Sequence, residues 1–443
     1  MPRVRLLSAL CGLVCWSGLD LLAATEAPQP FLVDIQSPLS FQQPLLDLTA
    51  EERRLFNEGR ALFNQLWVAS PSLNPDLDGL GPTFNQSSCA ACHLRNGRGK
   101  APEGPHERLR GMLIRLSVLG PHGPIPHPFY GEQLQESAVL GVPPEGRIAV
   151  QWVEVSREIV DGTVVPLRRP QVEFSKLNFS DISDARTSAR VAPAIVGSGL
   201  LDAVPDALLE ALAATPRPDQ IRGQINRLPS GLGRFGWKAN MSGLREQTAG
   251  AFSGDLGITS SLFPLENCPP AQEACESAHV DTTDLSDAQL AATVFYQAAL
   301  AVPAPRDQEH PLVIEGRALF ASAGCQHCHV PELKTGLSAL LPTLANRVFH
   351  PYTDLLLHDM GEDLADGRPD FEADGRQWRT PPLWGIGLVP MVNEHQQLLH
   401  DGRARNVVEA VLWHGGEGLA AAERVAAMTQ HQRAALEAFV LSL

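Results

Sequence analysis

The sequence predicts a mainly α-helical protein of two domains, the first of which carries a small β-rich insertion. Apolar residues recur at helical spacing along much of the 443-residue chain. The segment Glu-Gly-Arg-Ala-Leu-Phe occurs at positions 58–63 and again at 315–320, which indicates two halves of common design. Between positions 97 and 184 the pattern changes to short β-rich segments separated by Gly and Pro.

Residues 1–27 have the pattern of a secretory signal peptide. Arg3 and Arg5 precede an apolar run that ends at Leu22, and small residues that suit a cleavage site follow it. The run is short for a membrane-spanning helix, and Asp20 interrupts it. We therefore expect export to a bacterial periplasm, removal of the signal peptide and no stable membrane span afterwards.

The first domain is expected to span residues 45–302. Its first helix begins at Thr49, an N-cap that Glu52 completes as a capping box. Its last helix has Asp284 or Ser286 as the cap. After the insertion, helices are predicted over 203–214, 244–251 and 284–300.

The insertion, at about 97–184, is predicted to be a small β structure because β-branched and aromatic residues are frequent in it. Its three histidines, His106, His122 and His127, lie among Pro and Gly in predicted loops. They could contact a metal or cofactor, but a solvated loop histidine is the more common case. The predicted strands cover 113–118, 148–153 and 172–177.

Two Cys-x-x-Cys-His motifs carry the chemistry. Two thiols one helical turn apart can form thioethers with the two vinyl groups of one porphyrin, while the following His coordinates its iron. We therefore predict two covalently bound haem c groups. The motif residues are Cys89, Cys92 and His93 in the first copy, and Cys325, Cys328 and His329 in the second.

A Cys-x-x-Cys pair also occurs in zinc sites and in thioredoxin-like redox centres. The two motifs could in principle pool four thiolates around one zinc ion. The His directly after each pair, in a chain expected to be exported, favours haem.

Two cysteines lie outside these motifs and outside the predicted signal peptide. Cys268 and Cys275 are expected to form a disulfide that closes a short surface loop, because the periplasm is oxidising. Two free thiols are the alternative, since the sequence does not establish the geometry that a disulfide needs.

The second domain is expected to span residues 303–443. Pro303 and Pro305 mark its boundary, and a helix over 309–320 carries the second copy of the repeat before its haem motif. A short apolar helix around Val407 to Leu412 and a final amphipathic helix complete the domain.

The formal net charge of −15 argues against binding to nucleic acid, whose phosphates would repel the chain. An acidic surface attracts a small basic redox protein that donates or accepts electrons. Acidity can also serve solubility alone, and the composition does not separate the two.

These features resemble the bacterial di-haem cytochrome c peroxidase superfamily, and within it the branch described as di-haem oxidoreductase, putative peroxidase. The resemblance extends from Leu55 to the C-terminus. It implies two cytochrome-c-like haem domains that face each other, one haem that meets hydrogen peroxide and one that relays electrons. The segments that carry it are Gly81-Pro-Thr-Phe-Asn-Gln-Ser-Ser-Cys-Ala-Ala-Cys-His93, Gly233-Arg-Phe-Gly-Trp-Lys-Ala239, Gln247-Thr-Ala-Gly-Ala-Phe252, Leu356-Leu-His-Asp-Met-Gly361, Arg379-Thr-Pro-Pro-Leu-Trp384 and His400-Asp-Gly-Arg403.

The resemblance also implies roles for three residues near the first haem. Trp237 matches the aromatic residue between the haems, and Gln247, ten positions later, matches the amide of the peroxide pocket. Asp255 is the nearest equivalent of the catalytic carboxylate, although it is Asp instead of Glu and comes two positions early. Asp202 and Glu246 are the alternatives.

For the second haem, the resemblance places His414 as the distal ligand, where relatives have Met, Tyr or His. His358 and Met360 compete with it, because both lie in a loop that could reach an iron. Val191 stands where the peroxidases have an Asn that binds an inter-domain calcium, so we do not predict that ion.

The first functional hypothesis is a periplasmic peroxidase that reduces hydrogen peroxide at the N-terminal haem with electrons from the C-terminal one. A relative that uses peroxide to oxidise a protein is its variant. The second hypothesis is an electron-transfer cytochrome with both irons six-coordinate. The third is a partner-binding module that docks through the insertion. An open face on the first haem would separate the enzyme from the other two.

Overall fold

The structure is a computed structural model that describes residues 29–121, 123–278, 283–338 and 340–443. The predicted signal peptide and His122 lie outside these ranges. Helices account for 32% of the structure and strands for 20%, so the fold is mixed and not mainly α. The prediction missed many short strands, because pairs of two or three residues carry too little sequence for a period-2 pattern.

The described helices range from one to four turns. None of them is long and apolar enough to cross a membrane. They are α1 (Ala50–Asn64), α2 (Cys89–Cys92), α3 (Ser198–Asp202), α4 (Asp206–Ala214), α5 (Leu244–Leu256), α6 (Glu273–Glu276), α7 (Asp287–Ala298), α8 (Pro311–Ala323), α9 (Val389–Asn393), α10 (Val407–Leu412), α11 (Leu419–Ala426) and α12 (Gln430–Ser442).

The described strands form one three-stranded sheet and several two-stranded ones. They are β1 (Leu32–Val33), β2 (Val68–Ala69), β3 (Asp78–Leu80), β4 (Thr83–Phe84), β5 (Met112–Gly120), β6 (Gly123–Ile125), β7 (Ser137–Ala138), β8 (Arg147–Glu158), β9 (Val164–Ser175), β10 (Arg186–Val191), β11 (Arg227–Leu228), β12 (Gly231–Leu232), β13 (Val302–Pro303), β14 (Leu333–Lys334), β15 (Val348–Phe349), β16 (Leu357–Asp359) and β17 (Gln377–Arg379).

The helix starts agree with the capping patterns. Thr49 and Glu52 form the predicted capping box of α1. Ser286, and not Asp284, caps α7, where Gln289 completes a second capping box. Asp284 instead accepts hydrogen bonds from the backbone N–H and the hydroxyl of Thr259.

Two predicted helices differ from the structure at their ends. The helix expected over 203–214 begins three residues later, as α4 at Asp206, because Pro205 has no N–H group and fits the position just before a helix. The helix expected over 244–251 continues to Leu256. It ends at Gly257, whose φ of 69° is the left-handed conformation common after helix C-termini.

The β-rich insertion consists of the long hairpin β8–β9 and a sheet in which β5 lies between β10 and β6. The predicted strands 113–118 and 148–153 fall within β5 and β8, and most of 172–177 falls within β9. Because β10 follows position 184, the sheet extends beyond the predicted insertion.

The insertion packs against the second half of the chain. Arg433 bonds Asp161, in the turn between β8 and β9, at 2.7 Å, and Arg157 of β8 donates to the carbonyl of Leu412. Apolar side chains of both regions share one buried core. This core includes Ile114, Val150, Leu167, Trp413, Leu436 and Phe439.

The repeated segment has the same structural role in both halves. Its glycine lies where two helices cross at close range, α1 with α7 and α8 with α12. A Cβ on Gly59 would overlap the carbonyl oxygen of Ala292, and a Cβ on Gly316 would overlap that of Ala435. Only glycine therefore allows each pair of helices to approach this closely.

The phenylalanine that ends each repeat lies against the histidine of the haem motif. The Phe63 and His93 ring centroids are 6.2 Å apart, and those of Phe320 and His329 are 6.3 Å apart. Both ring pairs are tilted, by 53° and 57°. The repeat therefore places the two histidines in equivalent surroundings.

We expect Gly316→Ala to lower the free energy of unfolding by about 1–3 kcal/mol, because the added methyl group must separate α8 from α12. Chemical denaturation of the purified protein measures this loss. Gly104→Ala is the matched control, since a Cβ there meets open space, and its effect should stay within about 0.5 kcal/mol. Equal losses would contradict the close helix crossing as the reason for the glycine.

Candidate active site

Both Cys-x-x-Cys-His motifs open onto one largely apolar cavity of about 430 Å³ in the part of the chain that the structure describes. His93 lines it from the first half and His329 from the second, and Trp237 also contributes to its wall. In each motif the cysteines lie in or next to a short helical turn. Cys89–Cys92 form the single turn α2, and the second motif begins with a 3-10 turn, Cys325–His327.

The two motif histidines are oriented in the same way. His93 Nδ1 lies 2.8 Å from the carbonyl oxygen of Pro193, and His329 Nδ1 lies 2.9 Å from that of Tyr352. Burial lowers the pKa of each imidazole to about 4, so both rings are neutral near pH 7. A neutral ring that donates through Nδ1 keeps the Nε2 lone pair for a metal.

The cysteines follow the predicted division. Cys268 and Cys275 form a disulfide, which confirms the predicted pairing. The four motif cysteines are not in disulfides. Within the described ranges, no group of three or more Cys, His, Asp or Glu side chains is arranged to hold a metal ion.

The cavity also suits the anionic propionates of haem. Arg98, Arg190 and Arg379 line it. Arg190 and Arg379 are 5% and 6% exposed, and the Nε atom of Arg98 is buried without a hydrogen-bond partner among the described residues. Apolar walls, paired thiols, free Nε2 atoms and guanidinium groups together fit two covalently attached haems.

The three residues expected at the first haem come together in this cavity. Helix α5 carries Gln247 and Asp255, and the loop before it carries Trp237. The Trp237 ring is 6% exposed, and its Nε1 donates to the carbonyl of Val191 at 2.7 Å. Asp255 Oδ1 accepts from Gln133 Nε2 at 2.9 Å, and burial raises the pKa of this carboxyl.

The two alternative carboxylates do not line the described cavity. Asp202 accepts from the backbone N–H of Leu244 at 2.7 Å and so holds the start of α5. Glu246 accepts from the backbone N–H of Ser242 at 2.8 Å. Their positions favour Asp255 as the acid of the site.

All three candidate distal ligands of the second haem line the cavity, but their surroundings differ. His414 Nδ1 lies 2.7 Å from the carbonyl oxygen of Ala410, one helical turn earlier. This contact uses Nδ1 and leaves the other ring nitrogen, Nε2, without a hydrogen-bond partner in that turn. The side chain of Met360 lies close to Gly418, because a Cβ added at Gly418 would be 3.2 Å from Met360 Cε.

His358 has both ring nitrogens engaged. Nε2 lies 2.9 Å from Asp354 Oδ2, and Nδ1 lies 2.6 Å from Glu417 Oε2. Although burial acts to lower it, the charge of Asp354 raises the pKa of His358 well above its usual value. A ring held as a cation between two carboxylates offers no lone pair to iron.

A family model described as di-haem oxidoreductase, putative peroxidase, matches residues 27–117 and 122–443. The chain belongs to this family. Among solved structures, hydrazine synthase of Kuenenia stuttgartiensis, pressurised with xenon, matches at 14% identity over 100% of both chains, with a TM-score of 0.36. A comparison with curated proteins gave no match.

Membership makes the protein an oxidoreductase, and the family description implies two haems. No sequence pattern singled out several polar residues that line the cavity of this di-haem oxidoreductase, including Arg98, Arg115, Gln133 and Arg190. Arg115 and Gln133 come from the insertion, for which only the three histidines were considered as possible contacts of a metal or cofactor. The available signal was Arg115 within a mostly apolar strand, where a charged residue must face solvent or a cavity.

The two described histidines of the insertion differ in solvent exposure. His106 is exposed, as expected for a loop residue. His127 is only 2% exposed, and its ring centroid is 5.1 Å from that of Tyr130, so the expectation of a solvated residue was wrong. The His127 ring is buried because it packs against Tyr130 across a short turn. The local amino-acid composition does not predict this packing.

Replacing both Cys89 and Cys92 by Ala should reduce covalent haem from two groups to one per chain. Both thioether bonds of one motif are lost, while the second motif is unchanged. Haem content by pyridine haemochrome absorbance, compared with protein concentration, measures the ratio. The matched control, Cys268→Ser with Cys275→Ser, removes the disulfide and should retain two haems. A control that also loses one haem would contradict the division of the cysteines.

Proposed function

We propose that this di-haem oxidoreductase is a periplasmic peroxidase that reduces hydrogen peroxide beside His93 and receives electrons through the haem beside His329. The observation that supports this is the unequal chemistry of the two sides of the cavity. Burial and then the charge of Asp255 raise the pKa of the Cys89 and Cys92 thiols, so this acid lies near the first motif. His414 instead lies close enough to influence the pKa of His329.

Asp255 has the properties that a proton shuttle requires. It is desolvated, it accepts one hydrogen bond, and its raised pKa brings it closer to the working pH. When bound, haem supplies the iron at which peroxide is reduced. Asp255 takes a proton from one peroxide oxygen and returns it to the other, while the Gln247 amide orients the substrate.

The overall reaction consumes two electrons and two protons and converts one hydrogen peroxide into two water molecules. A small redox protein supplies the electrons, and the net charge of −15 favours a basic donor. Trp237, buried in the cavity wall, is the proposed relay between the two sides.

For the second haem we propose His414 as the distal ligand. His358 is the weaker candidate because Asp354 and Glu417 engage both its nitrogens. Met360 is the alternative to His414. A His ligand would make this haem six-coordinate and lower its potential relative to Met, which suits an electron relay. The periplasmic location rests on the signal pattern of residues 1–27.

Electron paramagnetic resonance of the oxidised protein tests this proposal. We expect one high-spin ferric signal, from the haem without a sixth protein ligand, and one low-spin signal. Hydrogen peroxide should remove the high-spin signal. Two low-spin signals that do not change when peroxide is added would instead support an electron-transfer cytochrome, provided that this holds for both the oxidised and the half-reduced protein.

Replacing Asp255 by Asn should lower kcat/KM for hydrogen peroxide by about 10²–10⁴, the usual range for loss of a general acid–base group. The carboxylate form must accept the first proton, so wild-type activity should fall as pH drops through the raised pKa of Asp255. The variant should lack this acid limb. Steady-state rates between pH 4 and pH 8 measure both effects.

Glu246→Gln is the matched control, because Glu246 lies on the same helix but outside the cavity wall. Its pH profile should follow that of the wild type. A wild-type acid limb that persists in Asp255→Asn would assign the proton transfer to another group.

A further inference from the structure

The strand β5 brings a cationic side chain into the cavity. Ile114 and Leu116 are fully buried on one face of the strand, and Leu113 and Arg115 project from the opposite face. Leu113 and Arg115 both line the cavity. The backbone of Arg115 is held from both sides, by Ser188 of β10 and by a bridge to Gln133.

Arg115 is connected to Asp255 through one amide. Arg115 Nη1 donates to Gln133 Oε1 at 3.3 Å, and Gln133 Nε2 donates to Asp255 Oδ1 at 2.9 Å. Gln133 is 2% exposed, so burial excludes water from most of this connection. The three side chains form one polar group on the side of the first motif.

The guanidinium group of Arg115 keeps hydrogen-bond donors available. Besides Gln133, its only side-chain partner in the described ranges is Glu132, at 3.9 Å, and that carboxylate is 57% exposed. Arg190, also in the cavity wall, is instead bound to Asp370 at 2.7 Å and to Ser188 at 2.9 Å. A guanidinium has five N–H donors, so Arg115 can bind a further acceptor.

The charges around Arg115 are nearly balanced. The acids Asp255, Asp370 and Glu132 lie close enough to interact with its charge. Although burial acts to raise it, the charges of Arg190, Arg368 and Arg115 lower the pKa of Asp370. Arg190 and Arg368 are the nearby cations among the described residues. Burial first, and then the charges of Arg190 and Arg115, lower the pKa of Arg368. The site therefore combines a cation with free donors and a carboxylic acid.

We propose that Arg115 is a further catalytic residue, which the insertion supplies to bind peroxide and to stabilise the charge that develops as the O–O bond breaks. This inference rests on the proposed peroxidase function. The electron pair of the O–O bond moves to the departing oxygen, which takes the proton held by Asp255 and leaves as water. The remaining oxygen becomes the second water when the redox protein supplies two electrons and the solvent supplies two protons. A cation beside that oxygen stabilises the transition state more than the substrate.

The test compares Arg115→Gln and Arg115→Lys with the wild type as complete, haem-loaded proteins. Fluoride is the probe, because it binds ferric haem as an anion and needs no turnover. We expect Arg115→Gln to weaken fluoride binding roughly tenfold, as for loss of a charge-assisted hydrogen bond. The rate of reaction with peroxide should fall about 10²-fold. Arg115→Lys should recover part of both.

Arg169→Gln is the matched control, because Arg169 is an exposed residue of the same insertion, in β9. It should bind fluoride and react with peroxide as the wild type does. Haem content and the low-spin signal should be unchanged in every variant.

The outcomes separate the two proposals. A wild type that binds no fluoride and ignores peroxide contradicts the peroxidase function itself. A reactive wild type with Arg115→Gln equally reactive and equally tight for fluoride contradicts this inference alone. A variant that loses haem while its remaining haem binds fluoride normally would assign Arg115 to holding the cofactor, and would also overturn the inference.

Discussion

The fold depends on keeping two neutral imidazoles buried at a set orientation. Each ring donates its Nδ1–H to a backbone carbonyl, from Pro193 for His93 and from Tyr352 for His329. A buried imidazole without such a partner would leave an unsatisfied donor, which costs about 1–3 kcal/mol. The glycine-mediated helix crossings α1–α7 and α8–α12 bring a phenylalanine against each ring and restrict it further. Duplication of this unit accounts for the two halves.

The two halves differ in what is added to the common unit. The first half adds α5 and the insertion, which contribute Asp255, Gln247, Gln133 and Arg115 to the cavity. The second half adds the segment with His414 and the cationic His358 between its carboxylates. The two halves share a repeated scaffold but place different side chains near their haem motifs. This difference is the basis of the proposed division between substrate reduction and electron relay.

The insertion connects both halves. Its sheet supplies Arg115 to the cavity, while its long hairpin bonds the second half through Asp161 and Arg157. Arg115, which we propose to act on the substrate, is thus carried by an element anchored to the opposite half. This arrangement accounts for the core that the β-rich insertion shares with the C-terminal helices.

The sequence by itself determined the features that depend on near neighbours. Capping boxes, the repeat, the two Cys-x-x-Cys-His motifs and the disulfide between Cys268 and Cys275 all act over a few residues, and the structure contains each of them. Tertiary structure alone decided the rest. Short strands form where distant segments meet, His127 is buried by ring packing, and Arg115 reaches Asp255 across 140 positions through Gln133. Such contacts leave no periodic or local signal, because long-range packing and desolvation create them only after the chain has folded.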